Sequence, residues 1–273
     1  MRNILLTVSY DGTNFSGWQR QDKSDEKKPV RTVQGELEKV LESVHKTKIN
    51  LQGSGRTDSG VHAVRQKANF LSPIDSIPAE KYVVALNSLL PDDIRILDSK
   101  EVDENFSSRF SAVTRTYRYF IVPSNRALAT QMPYVWNIKN EPDIEKLNAM
   151  ASVLKGELNF ATFTAAGDQS KSTFRYVEDA HFFYEDLCPC GKAIVFEITA
   201  NAFLWKMVRS LTGSMIFFEK NGYDEKYFKE VLDSCDRSKA GPTAPPQGLF
   251  LWDISYEGVR HDADYVKENS TED

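Results

Sequence analysis

The feature that most constrains this chain is the order in which its hydrophobic periodicity changes. Ile4 to Tyr10 is a short apolar run that predicts a strand, and behind Thr32, a helix-capping residue, Val33, Leu37, Val40, Leu41 and Val44 recur at helical spacing. Ile49 to Gln52 and Gln66 to Leu71 read as short strands, Ala79 to Leu90 as a helix stopped by Pro91, and Ile94 to Val102 as a closing strand. That order, β-α-β-β-α-β, is the ferredoxin-like arrangement. The second half repeats it without visible sequence identity. Arg115 to Val122 alternates as a strand, and Asp143 to Leu154 places Ile144, Leu147, Met150 and Leu154 on one helical face. Strands follow at Arg175 to Phe183 and Ala193 to Ala200, helices at Phe203 to Phe218 and Asp224 to Leu232, and a last strand at Leu249 to Tyr256. The expected fold is therefore α+β, two ferredoxin-like units over residues 1–104 and 105–256, followed by an acidic tail over 257–273 that is expected to be disordered.

Composition agrees with a globular chain. With 273 residues, 41% hydrophobic and 27% charged, it has enough apolar side chains for one large core or two moderate ones, and it is neither fibrous nor a disordered tail protein. The apolar run from Ile4 to Val8 is too short for an export signal or a membrane span, so a cytoplasmic protein is expected. Cys188, Cys190 and Cys235 are odd in number and lack CxxC spacing, which disfavours a disulfide framework and a structural zinc site. Cys188-Pro189-Cys190-Gly191 reads as a surface turn, and the charged segment Asp22 to Pro29 as a mobile loop.

The formal net charge of -5 argues against a nucleic-acid partner, but its distribution does not. Residues 257–273 hold six acids against two bases, whereas residues 1–70 hold twelve bases against eight acids. From Asn105 to Asn140 there is no acid, but there are five bases (Arg109, Arg115, Arg118, Arg126, Lys139) interleaved with Phe106, Phe110, Tyr117, Tyr119 and Phe120. Such a stretch suits phosphates and stacked bases. It reads equally as an Arg-rich exposed strand face.

The segment richest in chemistry is Gly53-Ser54-Gly55-Arg56-Thr57-Asp58-Ser59-Gly60-Val61-His62-Ala63. Its glycines permit close approach of backbone to a ligand, and Arg56, Asp58 and His62 bring one anion together with two bases. Asp58-Ser59-Gly60 is also what an Asx turn looks like. A phosphate-binding Walker loop is excluded, because no Lys-Ser/Thr follows the glycines.

Residues Gly55 to Ala63 closely resemble the signature of the tRNA pseudouridine synthase A family, and further blocks follow in the family's order. They are Tyr10-Asp11-Gly12-Thr13 through Gly17-Trp18-Gln19, Arg31 to Gln34, Leu86 to Pro91, Arg109 to Ala112, Arg115 to Tyr119, Phe160 to Phe163, Asn201 to Phe203, and Met207-Val208-Arg209. The resemblance spans about residues 4 to 256. It implies the pseudouridine synthase fold with a central cleft, a homodimer, and isomerisation of uridine to pseudouridine in the anticodon stem-loop of tRNA, without metal or organic cofactor.

On the same resemblance Asp58 is the catalytic aspartate, Arg209 its counter-charge from the second unit, and Tyr117 the active-site tyrosine. Arg56 holds the flipped nucleotide. Thr57, Ser59, His62 and Tyr119 complete the expected substrate site. The residues also admit plainer readings: Arg56 as an ordinary phosphate contact, Tyr117 and Tyr119 as core on one strand face, Arg209 as a surface arginine, and His62 as a residue that orders the loop. Three places depart from the family's usual pattern: Leu204-Trp205-Lys206, the long Asp22 to Pro29 segment, and Gly167-Asp168-Gln169-Ser170. A non-catalytic RNA-binding module is the rival reading, although strands with RRM-type signatures are absent. A glycoside hydrolase would need a second carboxylate beside Asp58, and Glu42 and Asp75, the nearest acids, sit outside the loop.

Overall fold

The computed structural model describes residues 1–21, 30–123, 126–188 and 191–261. The Asp22 to Pro29 segment, Pro189 and Cys190, and the tail beyond residue 261 lie outside the described residues. The described residues form two compact units, residues 1–112 with 250–257 and residues 113–249 with 258–261.

In the first unit β1 (Arg2–Tyr10) is the central strand, buried on both faces. The next element, α1 (Val33–His45), starts where Thr32 turns its hydroxyl to the Gly35 amide, and it buries Val33, Leu37 and Leu41. A two-residue strand, β2 (Gln52–Gly53), leads to β3 (His62–Ser72), α2 (Tyr82–Asn87) and β4 (Ile94–Val102). β1 pairs antiparallel with both β3 and β4, and β2 adds antiparallel to the outer edge of β3 at Asn69 and Ala68. The spatial order β4-β1-β3-β2 is the ferredoxin-like order expected from the sequence.

Two elements differ from expectation for local reasons. The strand expected at Ile49 to Gln52 shrinks to β2 because α1 captures the backbone that a ladder would use. The Leu51 amide donates to the Glu38 carboxylate and the Leu51 carbonyl accepts from Gln34 Nε2. The helix expected from Ala79 opens as a 3-10 turn over Ala79–Lys81 and is regular only from Tyr82. At the C-terminal end of α1 the buried His45 ring contacts the Leu41 carbonyl, Ser72 and the Tyr82 hydroxyl, so one polar cluster fastens α1, β3 and α2.

The second unit begins with β5 (Thr114–Pro123), a short parallel partner β6 (Trp136–Ile138), and α3 (Ile144–Ser152), which Asp143 caps. It continues with β7 (Gly156–Asn159), β8 (Phe174–Asp186), β9 (Lys192–Ala200), α4 (Met207–Lys220) and α5 (Glu225–Asp233). Its sheet runs β5-β9-β8-β7, antiparallel throughout. Between the end of β8 and the start of β9 the Leu187 amide donates to the Gly191 carbonyl. β6 and β7 are additions to the expected order.

The last strand, β10 (Leu249–Ser255), pairs in parallel with β3 at His62 and Ala63, so Phe250 to Glu257 belong to the first unit. The first unit also extends beyond residue 104 to Ala112, since Ser108 is bonded to Asn69 and to the Gln52 carbonyl. No helix among the described residues is long and apolar enough to cross a membrane. Replacing the α1 cap, Thr32→Ala, is expected to lower unfolding free energy by about 1 kcal/mol in a denaturant titration, with the m-value unchanged.

Candidate active site

The first unit carries the Asp58 loop between β2 and β3. The Ser54 amide donates to the Lys67 carbonyl, Gln66 Nε2 reaches the Gly55 carbonyl, and the Val61 amide closes a turn on the Asp58 carbonyl. Gly60, the third residue of that turn, has φ of +76°, a geometry that strongly favours glycine. The turn is thus built by backbone. The Asp58 side chain is half-buried, while Arg56 and Ser59 are exposed.

A second segment, Tyr10 to Trp18, braces the loop from behind. The Trp18 amide donates to the Thr57 carbonyl at 3.1 Å, and the Thr57 and Tyr10 hydroxyls lie 2.7 Å apart. The Phe15 carbonyl accepts from both the Ser59 hydroxyl and the Gly60 amide. Trp18 in turn continues into α1, its carbonyl accepting from the Gln34 amide. Gly12 meets the far side so closely that an added Cβ would stand 2.0 Å from the Val61 carbonyl oxygen. The sequence blocks at 10–19 and 53–63 therefore form one structure.

His62 belongs to the frame of this structure. It is 1% exposed, its ring stacks on Phe250, and Nδ1 accepts the Gly12 amide at 3.0 Å. Asp11 Oδ1 lies 3.2 Å from the same Nδ1 and also caps the Gly12–Asn14 turn through the Thr13 amide.

The remaining expected residues lie in the second unit. Tyr117 on β5 is 9% exposed and meets Phe203 edge to face at 5.0 Å between centroids. Tyr119, expected to touch substrate, is instead fully buried, and its hydroxyl donates to the Pro245 carbonyl at 2.7 Å. Burial drives the Tyr119 phenol pKa far up, with Arg209 pulling the other way. Period two puts both tyrosines on one strand face, but the segment before β10 covers Tyr119.

Arg209 is the third residue of α4 and is half-buried. Its Nε donates to the Ala244 carbonyl at 2.8 Å, and its own carbonyl accepts the Ala244 amide. The segment around Ala244 and Pro245 thus holds both Arg209 and Tyr119, a link the sequence did not reveal because these residues carry no chemistry of their own. The helix expected from Phe203 begins only at Met207. Lys206 takes a left-handed conformation, and the Trp205 amide is held by the Asp168 carboxylate. Burial opposes ionisation of Asp168, but hydrogen bonds from Ser170 and the Trp205 amide, with the charge of Arg175, leave its pKa below the usual carboxylate value.

Residues 6–111 and 150–257 match the family model described as tRNA pseudouridine synthase. The chain belongs to this family. It is 54% identical over 255 residues to a tRNA pseudouridine synthase A of Treponema denticola, covering 93% of each chain. A tRNA pseudouridine synthase A of Treponema pallidum is 51% identical over 242 residues, covering 89% of this chain and 84% of the relative. One from Caldicellulosiruptor saccharolyticus is 40% identical over 256 residues, covering 94% of this chain and 100% of the relative. The pseudouridine synthase fold expected from the motifs fits the mixed, mostly antiparallel architecture described above.

Within this family member the close approach at Gly12 yields a direct test. Gly12→Ala is expected to cost about 1–3 kcal/mol in thermal unfolding by overpacking against Val61, and to shift the loop that carries Asp58. Wild-type stability in that variant would contradict the close contact.

Proposed function

We propose that this chain isomerises uridine to pseudouridine in the anticodon stem-loop of tRNA, with Asp58 as the catalytic carboxylate. The observation that carries the reading is the Asp58 loop, whose backbone is fixed on all sides while the carboxylate itself stays partly open. The names of the relatives support the substrate class.

The reaction breaks the bond between ribose C1′ and uracil N1, turns the base, and joins C1′ to C5. C5 loses a proton and N1 gains one, so the overall change needs no oxidant or reductant. A carboxylate suits this chemistry either as a nucleophile on the sugar or ring, or as the base that opens the sugar by proton loss. Each route needs Asp58 ionised, and we assign the stabilising positive charge to Arg209, whose guanidinium is oriented by Ala244. Tyr117 is assigned the face of the uracil and removal of the C5 proton.

The target base must first leave its stack, at a cost of a few kcal/mol. Arg56 is exposed beside Asp58 and suits the vacated position or a neighbouring phosphate. Thr57 and Ser59 serve by holding the loop, and His62 by fixing Gly12 behind it. Tyr119 acts only indirectly, through Pro245. The homodimer rests on resemblance and is tested by sedimentation of the free protein.

Asp58→Asn is expected to abolish pseudouridine formation in mapped tRNA while keeping RNA affinity within about tenfold, a difference near 1.4 kcal/mol. Product at the wild-type rate from that variant would refute the assignment, and a wild-type protein that binds tRNA but forms no pseudouridine would favour the binding-module reading. Arg209→Ala is expected to slow turnover by roughly a hundredfold, with Arg209→Lys retaining part of the rate; normal turnover in the alanine variant would remove Arg209 from the mechanism.

A further inference from the structure

Several bases of the stretch from Asn105 to Asn140 have defined partners in the structure. Arg118 lies between Glu197 and Glu185, Arg126 pairs with Glu141, and Arg115 donates to the Asn201 carbonyl. Arg118 and Arg126 are thus held in ion pairs and Arg115 by a backbone carbonyl. Arg109 and Phe110 lie on the surface of the first unit. Arg109 is exposed, its guanidinium carbon lies 5.4 Å from the Phe110 ring centre, and Phe110 is 62% exposed.

Single exposed apolar side chains are ordinary on protein surfaces. What sets this ring apart is the turn beneath it. The Ser111 amide donates to the Ser107 carbonyl, the Phe110 amide to the Ser107 hydroxyl, and the Ser107 amide to the Ser111 hydroxyl, which makes a tight, self-bonded loop. A buried polar network seats that loop on the sheet of the first unit. Ser108, fully buried, donates its amide to Asn69 Oδ1 and its hydroxyl to the Gln52 carbonyl, and its own carbonyl accepts from the Tyr256 hydroxyl. Asn69 bonds Asn3, and Asn3 reaches the carbonyls of Asp103 and Phe106.

Buried amides are costly unless every group finds a partner, and a network satisfied in this way fixes a single geometry. The outcome is a rigid mount that holds an aromatic ring and a guanidinium out in solvent. It is attached through Gln52 to β2, and Gly53, the next residue, opens the Asp58 loop.

We propose that Arg109 and Phe110 form an RNA-docking element, in which Phe110 stacks on an unpaired nucleobase of the substrate and Arg109 contacts the adjoining phosphate. This rests on the tRNA reading above and extends it to a site that the reaction chemistry leaves unused. The chemistry fits one occupant. An aromatic face stacks on any base, and a guanidinium donates to a phosphate. A mount ordered before binding also spares the entropy of ordering it afterwards.

The test compares wild type, Phe110→Ala, Phe110→Trp, Arg109→Ala and, as a control, Leu97→Ala at another exposed apolar position of the same unit. Affinity for an unmodified tRNA transcript and KM for pseudouridine formation are measured at several salt concentrations. Phe110→Ala is expected to weaken binding about tenfold, with the loss in KM and Kd rather than in kcat; Phe110→Trp restores it, and Leu97→Ala changes nothing. Arg109→Ala is expected to weaken binding and to lower the slope of log affinity against log salt by about one. Wild-type affinity and slope in both alanine variants would overturn the proposal, as would a defect in kcat alone or altered self-association with unchanged tRNA binding. Failure of the enzymatic reading shows separately, as absence of pseudouridine from the wild-type reaction.

Discussion

The interaction on which the rest of this site depends is the grip of the Tyr10 to Trp18 segment on the backbone of residues 57–61. A loop rich in glycine and serine has little reason to hold one shape, because ordering each backbone residue costs roughly 1–2 kcal/mol. Here the Trp18 amide, the Tyr10 hydroxyl, the Phe15 carbonyl and the Gly12 to His62 bond fix it in place. Those contacts are made by side chains and amides that are themselves in the core, Trp18 at 1% and Tyr10 at 4% exposure. The carboxylate to which we assign the chemistry is therefore carried by a frame that does not have to form when RNA arrives.

The same logic recurs in the second unit. Arg209 sits in the first turn of α4, where the chain has already been shaped by Lys206 in its left-handed conformation and by Asp168 on the Trp205 amide. Ala244 then orients the guanidinium from the side. The lowered pKa of Asp168 fits its role of holding the Trp205 amide just ahead of the helix start. Charges in both units are positioned by backbone contacts from segments that carry no reactive group. On the proposed assignment of Asp58 and Arg209, mutations in those segments alter turnover without touching substrate.

Much of this was legible in the sequence, and the parts that were not have identifiable causes. The first-unit topology followed from the change of period between strands and helices, and α1 began where Thr32 placed it. The Asp58 loop stood out through its glycines and its concentration of charge. β2 was misjudged in length because Glu38 and Gln34, four residues apart on α1, take the Leu51 backbone, a tertiary effect that no local pattern announces. Tyr119 was expected at the substrate on the family resemblance; period two placed it on the face of Tyr117 but could not show that its hydroxyl is taken by the Pro245 carbonyl. The bracing role of Tyr10, Gly12 and Trp18 was present only as adjacency of motif blocks, whose physical connection needs coordinates.

The central claim is that the Asp58 loop is fixed before substrate binds, and hydrogen exchange at the amides of Gly12, Trp18, Gly60 and Val61 in the free protein tests it most directly. These amides are expected to exchange slowly, close to the rate of the buried β1 and β3 ladder, because those of Gly12, Trp18 and Gly60 are bonded across the two segments and that of Val61 closes the turn on Asp58. Exchange at the rate of an open surface loop, with β1 and β3 still protected, would contradict it.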